Sequence, residues 1–492
     1  MKQLIYLTGT LLVASAAHAQ DFGTGLANLG ASQLLENQQG GYNHWNGIGR
    51  LESVGNSRCS AVLLDTRAAG NPDDAPAYLL TSGHCAYTSP GMIAHNLPIR
   101  GHVEFNYFKD TAGQRQVYAL KQLAWSSQHN IDLALIELAV PLKHLLDEGV
   151  QPLKLSAKPA KIDQPILAVG APETANGYTL RASACTLDAV VDIIEYPYVW
   201  NANLRNRCQD VLPGASGSPL LSRDDNSILG ITGTTTRGST PGNQCLKDTP
   251  CEVHDGQALW IAEANYASPI ERLRNCFTNG RFDTRPAACD MEPGFDLALK
   301  NAPYLQAIVN TGNRAWNLPF FTDTDHYYHK FVRSPAQCQN PEGYGTGISA
   351  RNASIGLPDT LEPGLHQLCL IGVHSDRTAL SVNLLSNAFV LPIQVRDAKA
   401  DLLTVALALT PMPGGKQSIA FQRSHAVPHY TYKFGPPDST HCNDDQGYKH
   451  AFYNFNVSPR LMPARLCTRA WDVAGNGSTP RADLLQVATN ND

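Results

Sequence analysis

The stretch Leu212-Pro-Gly-Ala-Ser-Gly-Ser-Pro-Leu220 places a serine between two glycines in a tight turn. Gly214 and Gly217 permit positive-φ backbone, which exposes Ser216 and turns amide hydrogens towards one point. This geometry is typical of an oxyanion hole, whose donors we predict to be the amides of Gly214 and Ser216. Serine alone is a poor nucleophile, so the pattern requires a general base elsewhere in the chain. A purely structural Gly-Ser turn is the alternative.

The candidate base is His84, in the segment Thr81-Ser-Gly-His-Cys85 at the end of an apolar run. Its neighbour Cys85 has a potential partner in Cys59, on the preceding predicted strand. We expect a disulfide between them to hold the histidine loop rigid. A structural or solvated histidine is the alternative.

The candidate acid is Asp132, in Asn130-Ile-Asp-Leu-Ala-Leu-Ile-Glu-Leu138 at the mouth of a predicted buried strand. A buried carboxylate without a partner is very costly, so Asp132 needs a hydrogen bond or solvent. A histidine would satisfy it, and the carboxylate would fix the tautomer of the imidazole. A surface aspartate that caps the strand is the alternative.

In this order, His84, Asp132 and Ser216 resemble the catalytic triad of the trypsin/chymotrypsin family, over about residues 45 to 276. The resemblance implies a double β-barrel with the site between the barrels, and a serine endopeptidase that hydrolyses peptide bonds through an acyl-enzyme. Animal members usually have glycine at the position of Ser218. With serine there, the chain resembles bacterial glutamyl and lysyl endopeptidases. The chain is therefore expected to be a secreted bacterial member.

The resemblance also suggests a substrate pocket. Asp210 stands six residues before Ser216, where trypsin-like members keep the acid that receives Lys or Arg, so cleavage after basic residues is expected. A carboxylate removed from water strongly favours a cation. Thr234 or Thr235 could narrow the entrance of the pocket. Lysyl enzymes take their pocket acid from elsewhere in the chain, so Asp210 as a surface residue is the alternative.

Activation should differ from that of the animal enzymes. They carry an aspartate just before the nucleophile that pairs with a newly cut amino terminus, whereas this chain has Ala215. No Ile-Val-Gly-Gly type of start precedes Trp45. A propeptide would therefore have to act by occlusion or by assisting folding.

The chain of 492 residues is long enough for about three domains. Residues 1–19 form a predicted signal peptide, with Lys2, an apolar stretch and Ala17-His-Ala19 before the cleavage point. The alternative, a membrane anchor, is disfavoured because the stretch is short. Residues 20–43 are polar and glycine-rich, which predicts a flexible arm or propeptide. The protease-like domain is assigned to 44–289.

Short apolar runs between turn-forming clusters predict an all-β domain. The runs are Cys59–Leu64, Tyr78–Thr81, Leu133–Leu138, Ile166–Val169 and Ile228–Ile231. One helix is predicted over Ser268–Cys276, because serine, proline and glutamate stand at its capping positions.

The remaining chain repeats itself at an offset of about 100 residues. His326-Tyr-Tyr-His-Lys-Phe331 matches His429-Tyr-Thr-Tyr-Lys-Phe434, and the cysteine positions match as well. We predict two β-sandwich modules, over 290–390 and 391–492. They resemble the immunoglobulin-like repeats of secreted bacterial enzymes, on the Trp471-Asp-Val-Ala-Gly-Asn476 ending of the second copy. The first copy lacks this ending.

Export favours disulfides among the twelve cysteines. The simplest hypothesis pairs them in sequence order, and zinc is the weaker alternative because no two-residue spacing occurs. The cysteines are Cys59, Cys85, Cys185, Cys208, Cys245, Cys251, Cys276, Cys289, Cys338, Cys369, Cys442 and Cys467.

The remaining expectations concern partners. The net charge of −5 without a basic run argues against nucleic acid, and no later segment suggests a membrane span. No His-Glu-x-x-His occurs, and the pairs His326/His329 and His425/His429 are interpreted as ordinary repeat residues, so neither a metal nor a cofactor is expected. Protein or peptide substrates are expected, with a cell-surface or polymer ligand for the repeats. The competing hypothesis is an inert protease-like adhesin that acts through its C-terminal modules.

Overall fold

The computed structural model describes most of the chain beyond residue 20. The described ranges are 21–53, 57–70, 72–86, 92–174, 177–285, 289–291, 294–299, 306–309, 317–358, 361–396, 403–423, 427, 429–451, 454–471 and 477–487. The predicted signal peptide over 1–19, His425 and most of the Trp471–Asn476 ending lie outside these ranges.

Six strands close into a first β-barrel. They are β1 (Ile48–Ser53), β2 (Ser57–Leu63), β3 (Pro76–Thr81), β4 (His102–Phe105), β5 (Gln116–Ser127) and β6 (Leu133–Pro141). The strand order is β5-β4-β1-β2-β3-β6, and pairing of β6 with β5 completes the ring. Every residue of β3 is buried, as the apolar sequence predicts for a strand covered on both faces.

Six further strands close into a second barrel. They are β7 (Pro165–Gly170), β8 (Arg181–Glu195), β9 (Tyr198–Asn206), β10 (Pro219–Ser222), β11 (Ile228–Thr235) and β12 (Asn265–Pro269). The order is β9-β12-β11-β10-β7-β8, and β8 pairs with β9 to close the ring. The double barrel that the family resemblance implied is thus confirmed, as are the five predicted strands.

Short elements fill the connections of the two barrels and of the C-terminal modules. The additional strands are Gln33–Leu34, Ile93–Pro98, Glu173–Thr174, Gly177–Tyr178, Cys251–His254, Gln257–Leu259, Phe277–Thr278 and Arg281–Phe282. The α-helices of the described chain are Leu142–Asp147 and Val382–Ser386. The 3₁₀ turns are Asn43–Trp45, Arg67–Ala69, Gly83–Cys85, Ala112–Gln114, Pro241–Asn243, Glu271–Leu273, Pro335–Gln339, Pro413–Gly415 and Pro459–Leu461.

The predicted helix over Ser268–Cys276 is wrong. Ser268 and Pro269 end strand β12, which pairs with β11, and only Glu271–Leu273 forms a 3₁₀ turn. Sheet pairing with a distant strand therefore outweighs the local capping pattern.

The N-terminal segment is also ordered, contrary to the predicted flexible arm over 20–43. Gln33–Leu34 pairs with the start of β8, and Leu35 is fully buried in the core. The Asp21 carboxylate forms an ion pair with Arg223, from Nε at 2.7 Å. Described residues 21–43 thus pack on the barrels, while their role as a propeptide stays a prediction.

The first C-terminal module has two facing sheets. One contains Leu297–Leu299, Asn317–Thr322 and Ser354–Gly356; the other contains Gln306–Val309, His326–Val332, Ile348–Ser349, Gly364–Val373 and Phe389–Arg396. Buried side chains from both sheets share one core. Because Phe389–Arg396 pairs with Gly364–Val373, the predicted boundary between residues 390 and 391 cuts a strand and is corrected to lie beyond 396.

The second module repeats this plan. Its sheets contain Leu407–Met412, Lys416–Phe421 and Phe455–Val457, and His429–Gly435, Lys449–His450, Ala464–Trp471 and Arg481–Leu485. Lys330 and Lys433 each donate to two loop carbonyls at equivalent positions. The hydroxyls of Tyr344 and Tyr448 each donate to the carbonyl of the cysteine six positions earlier. The duplication inferred from sequence therefore extends to matching hydrogen bonds.

All twelve cysteines form disulfides in sequence order, which confirms the simplest predicted pairing. The bridges are Cys59–Cys85, Cys185–Cys208, Cys245–Cys251, Cys276–Cys289, Cys338–Cys369 and Cys442–Cys467. Among the described residues, no helix is long and apolar enough to cross a membrane.

Candidate active site

His84 and Asp132 meet between the two barrels. Nδ1 of His84 donates to Oδ2 of Asp132 at 2.7 Å, and the backbone N–H of His84 donates to Oδ1 at 2.8 Å. Asp132 is fully buried, and its own amide donates to the hydroxyl of Ser268 at 3.1 Å. These bonds satisfy a carboxylate that would otherwise be very costly to bury. They also leave Nε2 as the nitrogen of His84 that can accept a proton.

Local structure fixes the histidine. His84 lies in the 3₁₀ turn Gly83–Cys85 that follows β3, and Cys85 is bonded to Cys59 on β2. A Cβ atom at residue 83 would lie 2.2 Å from the carbonyl oxygen of Ser127. The close approach therefore needs glycine beside His84.

The turn that carries Ser216 is tied to the first barrel by two serines that the sequence did not single out. The amide of Ser60 donates to the carbonyl of Ser216 at 2.7 Å, and the Ser60 hydroxyl donates to the carbonyl of Gly214 at 3.0 Å. The Ser82 hydroxyl accepts the amide of Gly217 at 3.1 Å. The nucleophile turn thus spans the cleft between the barrels.

The two glycines of this turn have the backbone that the sequence predicted. Gly214 has φ 90° and Gly217 has φ 84°, in the region that favours glycine. A Cβ atom on Gly217 would also lie 2.0 Å from the carbonyl oxygen of Ser60. Within the described chain, the amides of Gly214 and Ser216 donate to no protein acceptor. Both are therefore available to a ligand.

Gly233, on β11, lies beside both Ser216 and Asp132. Its carbonyl oxygen accepts the Ser216 hydroxyl at 3.3 Å. A Cβ atom at the same residue would lie 2.9 Å from Oδ2 of Asp132. One glycine thus contacts both the serine and the acid. The sequence pattern gave no sign of this role.

Negative charge surrounds the imidazole. Burial works against the charged form of His84, but the charge and hydrogen bond of Asp132 outweigh it, with smaller contributions from Glu195 and Asp248. The pKa of His84 is therefore raised. Glu195 and Asp248 were not predicted as site residues.

Glu195 ends β8 and is 8% exposed, whereas Asp248 is exposed on the disulfide loop Cys245–Cys251. The amide of Asp248 donates to Oε1 of Glu195 at 2.9 Å. Oε2 of Glu195 has no hydrogen bond of ordinary geometry in the described chain, although the Thr234 hydroxyl is near enough to lower its pKa. Burial and Asp248 outweigh that effect and raise the pKa of Glu195 to about 7. The sequence signal that could have identified Glu195 was an acidic residue inside an apolar run.

Asp210 does not have the surroundings of the predicted substrate acid. Its Oδ2 accepts the amide of Ser32 at 2.9 Å and the Ser32 hydroxyl at 2.6 Å. Arg181 donates to the same hydroxyl at 2.6 Å. These hydrogen bonds, with the charge of Arg181, lower the pKa of Asp210. The carboxylate anchors the N-terminal segment, and the substrate-pocket role of Asp210 stays a prediction.

The two predicted pocket threonines differ in their contacts. Thr235 donates to the carbonyl of Ala264 at 3.1 Å and to Oδ1 of Asn265 at 2.9 Å. Thr234 lies close to Glu195. Thr235 therefore faces the neighbouring strand, and Thr234 faces the acidic group.

One group of potential metal ligands occurs among the described residues, Cys59, His84 and Cys85. Its two sulfurs are joined in a disulfide, and its histidine bonds to Asp132. A disulfide sulfur is not the thiolate that a metal requires. This group is thus accounted for by the bridge and the histidine–aspartate pair.

Comparison with known proteins finds a family to which this region is similar. Residues 59–231 match the family described as "Trypsin-like peptidase domain", and this range contains His84, Asp132 and Ser216. No curated protein matches the chain.

Several solved structures align with about half of the chain. A Glu endopeptidase is 13% identical over 49% of this chain and 90% of its own, with a TM-score of 0.31. Mouse neuropsin, a serine protease, is 16% identical over 49% of this chain and 94% of its own, also at 0.31. The protease Anisep of Arthrobacter nicotinovorans is 15% identical over 46% and 90%, at 0.28.

The family match and the double barrel agree on the same region. They indicate a serine protease in general. Residues 59–231 are therefore similar to a trypsin-like peptidase domain, and two further β-sheet modules follow the barrels.

Proposed function

We propose that the protein is a secreted serine endopeptidase with His84, Asp132 and Ser216 as its catalytic triad. The observation that carries this proposal is the 2.7 Å hydrogen bond from His84 Nδ1 to Asp132 Oδ2. It lies beside a serine turn whose two glycines have positive φ. Nucleophile, base and orienting acid are the set that serine hydrolysis requires.

In this mechanism Ser216 Oγ attacks the scissile carbonyl carbon while Nε2 of His84 takes the hydroxyl proton. The amides of Gly214 and Ser216 stabilise the oxyanion. His84 then protonates the leaving amine, which leaves an acyl-serine. Water, deprotonated by His84, attacks this ester and releases the acid and Ser216. Asp132 stabilises the imidazolium without taking its proton.

We propose cleavage after Arg or Lys, with Glu195 and Asp248 in place of Asp210 as the acids that favour a basic substrate. Glu195 lies near Thr234, the amide of Asp248 donates to Glu195, and both acids lie close enough to His84 to affect its pKa. A cationic side chain would compensate the buried Glu195 charge. A peptide panel that varies the residue before the cut tests this preference. Equal rates for basic and neutral residues would contradict it.

We propose export on two grounds, the signal-like segment at 1–19 and the six disulfides. Disulfides persist in oxidising compartments such as the extracellular space and the periplasm. N-terminal sequencing of protein recovered from culture medium or periplasm tests the cleavage before Gln20.

The main competing hypothesis is an inert protease-like adhesin. Reaction with diisopropyl fluorophosphate separates the two, because only an activated serine displaces fluoride to form a phosphorylated enzyme. We expect one phosphoryl group per chain, mapped to the peptide with Ser216. A His84→Ala variant is the control and should label far more slowly. Absence of labelling in the wild type would favour the inert protein.

For the second module we propose a cell-surface or polymer ligand, as immunoglobulin-like repeats would suggest. Tyr432 and Phe434 stack at 6.4 Å between ring centroids, and the ring of Phe455 lies 4.6 Å from that of Tyr432. Phe434 is 37% exposed. An exposed aromatic row can stack on sugar rings or apolar polymer. Phe434→Ala should weaken retention of the protein on an insoluble polysaccharide and leave peptide turnover unchanged.

A further inference from the structure

The first C-terminal module packs directly on the loop that precedes Asp132. The ring of His129 lies between two phenylalanines of that module, with centroids 5.6 Å from Phe295 and 5.1 Å from Phe389. Both contacts are edge-on, the geometry that aromatic pairs favour. All three side chains are buried. The loop is thus clamped by residues that lie far away in the chain.

A hydrogen bond at the next residue, Asn130, adds to these contacts. We call the contacts of His129 and Asn130 with the module the clamp. The Asn130 side-chain amide donates to the backbone carbonyl of Ala388, which immediately precedes Phe389. Asn130 has φ 59°, and its carbonyl accepts the amide of Asn201 at 2.9 Å. Asn130 is 4% exposed and Ala388 is 1% exposed, so the loss of this donor would weaken the hydrogen bonding of a buried carbonyl.

The interface between module and barrels is continuous apolar packing. Ile194, Tyr196 and Val199, from the hairpin of β8 and β9, belong to the same buried cluster as Phe389. Asp296 of the module also accepts the amide of Ile93 at 3.1 Å. Interdomain motion is the usual expectation unless the interface is large and hydrophobic. Here the first module and the second barrel share one core.

We infer that the peptidase needs its first C-terminal module for full activity. His129 and Asn130 are the positioning residues, and through them the module holds Asp132 in place. The inference rests on the proposed function. Asp132 lies two residues after Asn130 and must hold His84 at hydrogen-bond distance. A displacement of about 1 Å at a catalytic group can cost 10²-fold in rate. Loosening the clamp should therefore change catalysis without removing any triad residue.

His129 acts as an uncharged ring beside the carbonyls of Asn387 and Ala388. Burial, with the charge of Arg272, lowers the pKa of His129 to about 3, so the ring is neutral at ordinary pH. The chain therefore offers a matched pair of substitutions in the full-length protein. His129→Phe keeps an aromatic ring between Phe295 and Phe389, whereas His129→Ala removes it. Asn130→Gly removes the donor to Ala388 and still tolerates positive φ.

The test measures two quantities in each variant, the low-field proton resonance of the His84–Asp132 hydrogen bond and kcat with its pH profile. We expect His129→Ala and Asn130→Gly to weaken or shift the resonance and to lower kcat by roughly 10- to 100-fold, with KM little changed. His129→Phe should restore both. Leu466→Ala, in the separate core of the second module, is the control; it should lower the unfolding temperature and change neither quantity.

Wild-type resonance and kcat in both His129→Ala and Asn130→Gly would overturn the inference. If His129→Ala does not fold, Asn130→Gly alone decides. The resonance separates this outcome from failure of the proposed function. A wild type that shows the resonance but hydrolyses no peptide contradicts the function, and the variants then still test the positioning by the resonance alone.

Discussion

Asp132 accepts hydrogen bonds from His84 at both carboxylate oxygens. Oδ1 accepts the backbone amide of His84 at 2.8 Å, and Oδ2 accepts Nδ1 at 2.7 Å. The two bonds fix the position of the histidine loop and the tautomer of its ring together. The carboxylate is fully buried and reaches the histidine from the mouth of β6. The pair is therefore set before any substrate binds.

The Asp132→Asn substitution should remove the acceptor charge while preserving the shape of the site. An amide in this position can donate to the imidazole and stabilise the wrong tautomer. We expect kcat to fall by about 10⁴-fold, with folding and KM largely retained. Steady-state kinetics on one peptide measures the loss. A decrease of less than tenfold would rule out the orienting role of Asp132.

The activity should rise with pH through the pKa of His84. The pKa is raised from 6.5, and the mechanism needs the neutral ring. The kcat/KM profile of the wild type should therefore have its acidic midpoint above about 6.5. The interactions that raise the pKa of His84 stabilise the folded protein fully at pH values below the pKa of an unfolded histidine. This stabilisation is lost as the pH rises through the pKa of His84 in the folded protein. Asp132→Asn should lower the midpoint; an unchanged midpoint would contradict the assignment of the pKa to this pair.

The acids that favour basic substrates should be distinguishable by paired substitutions. Glu195→Gln should reduce the preference for Arg or Lys over neutral residues, by roughly tenfold. Asp210→Asn should leave the preference unchanged. Glu195→Gln should also be at least as stable as the wild type above pH 7, because the wild type then buries an ionised carboxyl whose pKa is raised to about 7. The opposite pattern of preference would restore Asp210 as the substrate acid.

The contact of Ser32 with Asp210 should hold the N-terminal segment on the second barrel. Ser32→Ala removes a 2.6 Å hydrogen bond to a carboxylate. We expect a loss of roughly 1–3 kcal/mol in unfolding free energy. Limited proteolysis within residues 21–35 should also accelerate, whereas Asn28→Ala, at an exposed position, should change neither measure. Equal proteolysis of all three proteins would show that the segment is held by other contacts.

Local patterns predicted much of this structure. The apolar runs at residues 59–64 and 133–138 form the strands they predicted, and the turn around Ser216 has both predicted positive-φ glycines. Such features depend on a few neighbouring residues. Sequential disulfide pairing succeeded for the related reason that each bridge closes a short loop, of 31 positions or fewer.

The errors arose where distant residues decide the outcome. The segment over 20–43 has a polar composition, but Ser32 finds its acceptor 178 residues away. Sheet pairing with β11 replaced the expected helix after Ser268. The contact between Asn130 and Ala388 joins residues 258 positions apart. A single sequence carries no local signal for such pairings.

Peptide turnover by the full-length chain and by Ser216→Ala tests the central claim most directly. The substitution removes one oxygen atom from the proposed nucleophile and should leave the fold intact. We predict that hydrolysis of a peptide with Arg or Lys before the cut falls by about 10⁴-fold or more. Turnover by Ser216→Ala equal to that of the wild type would contradict the mechanism.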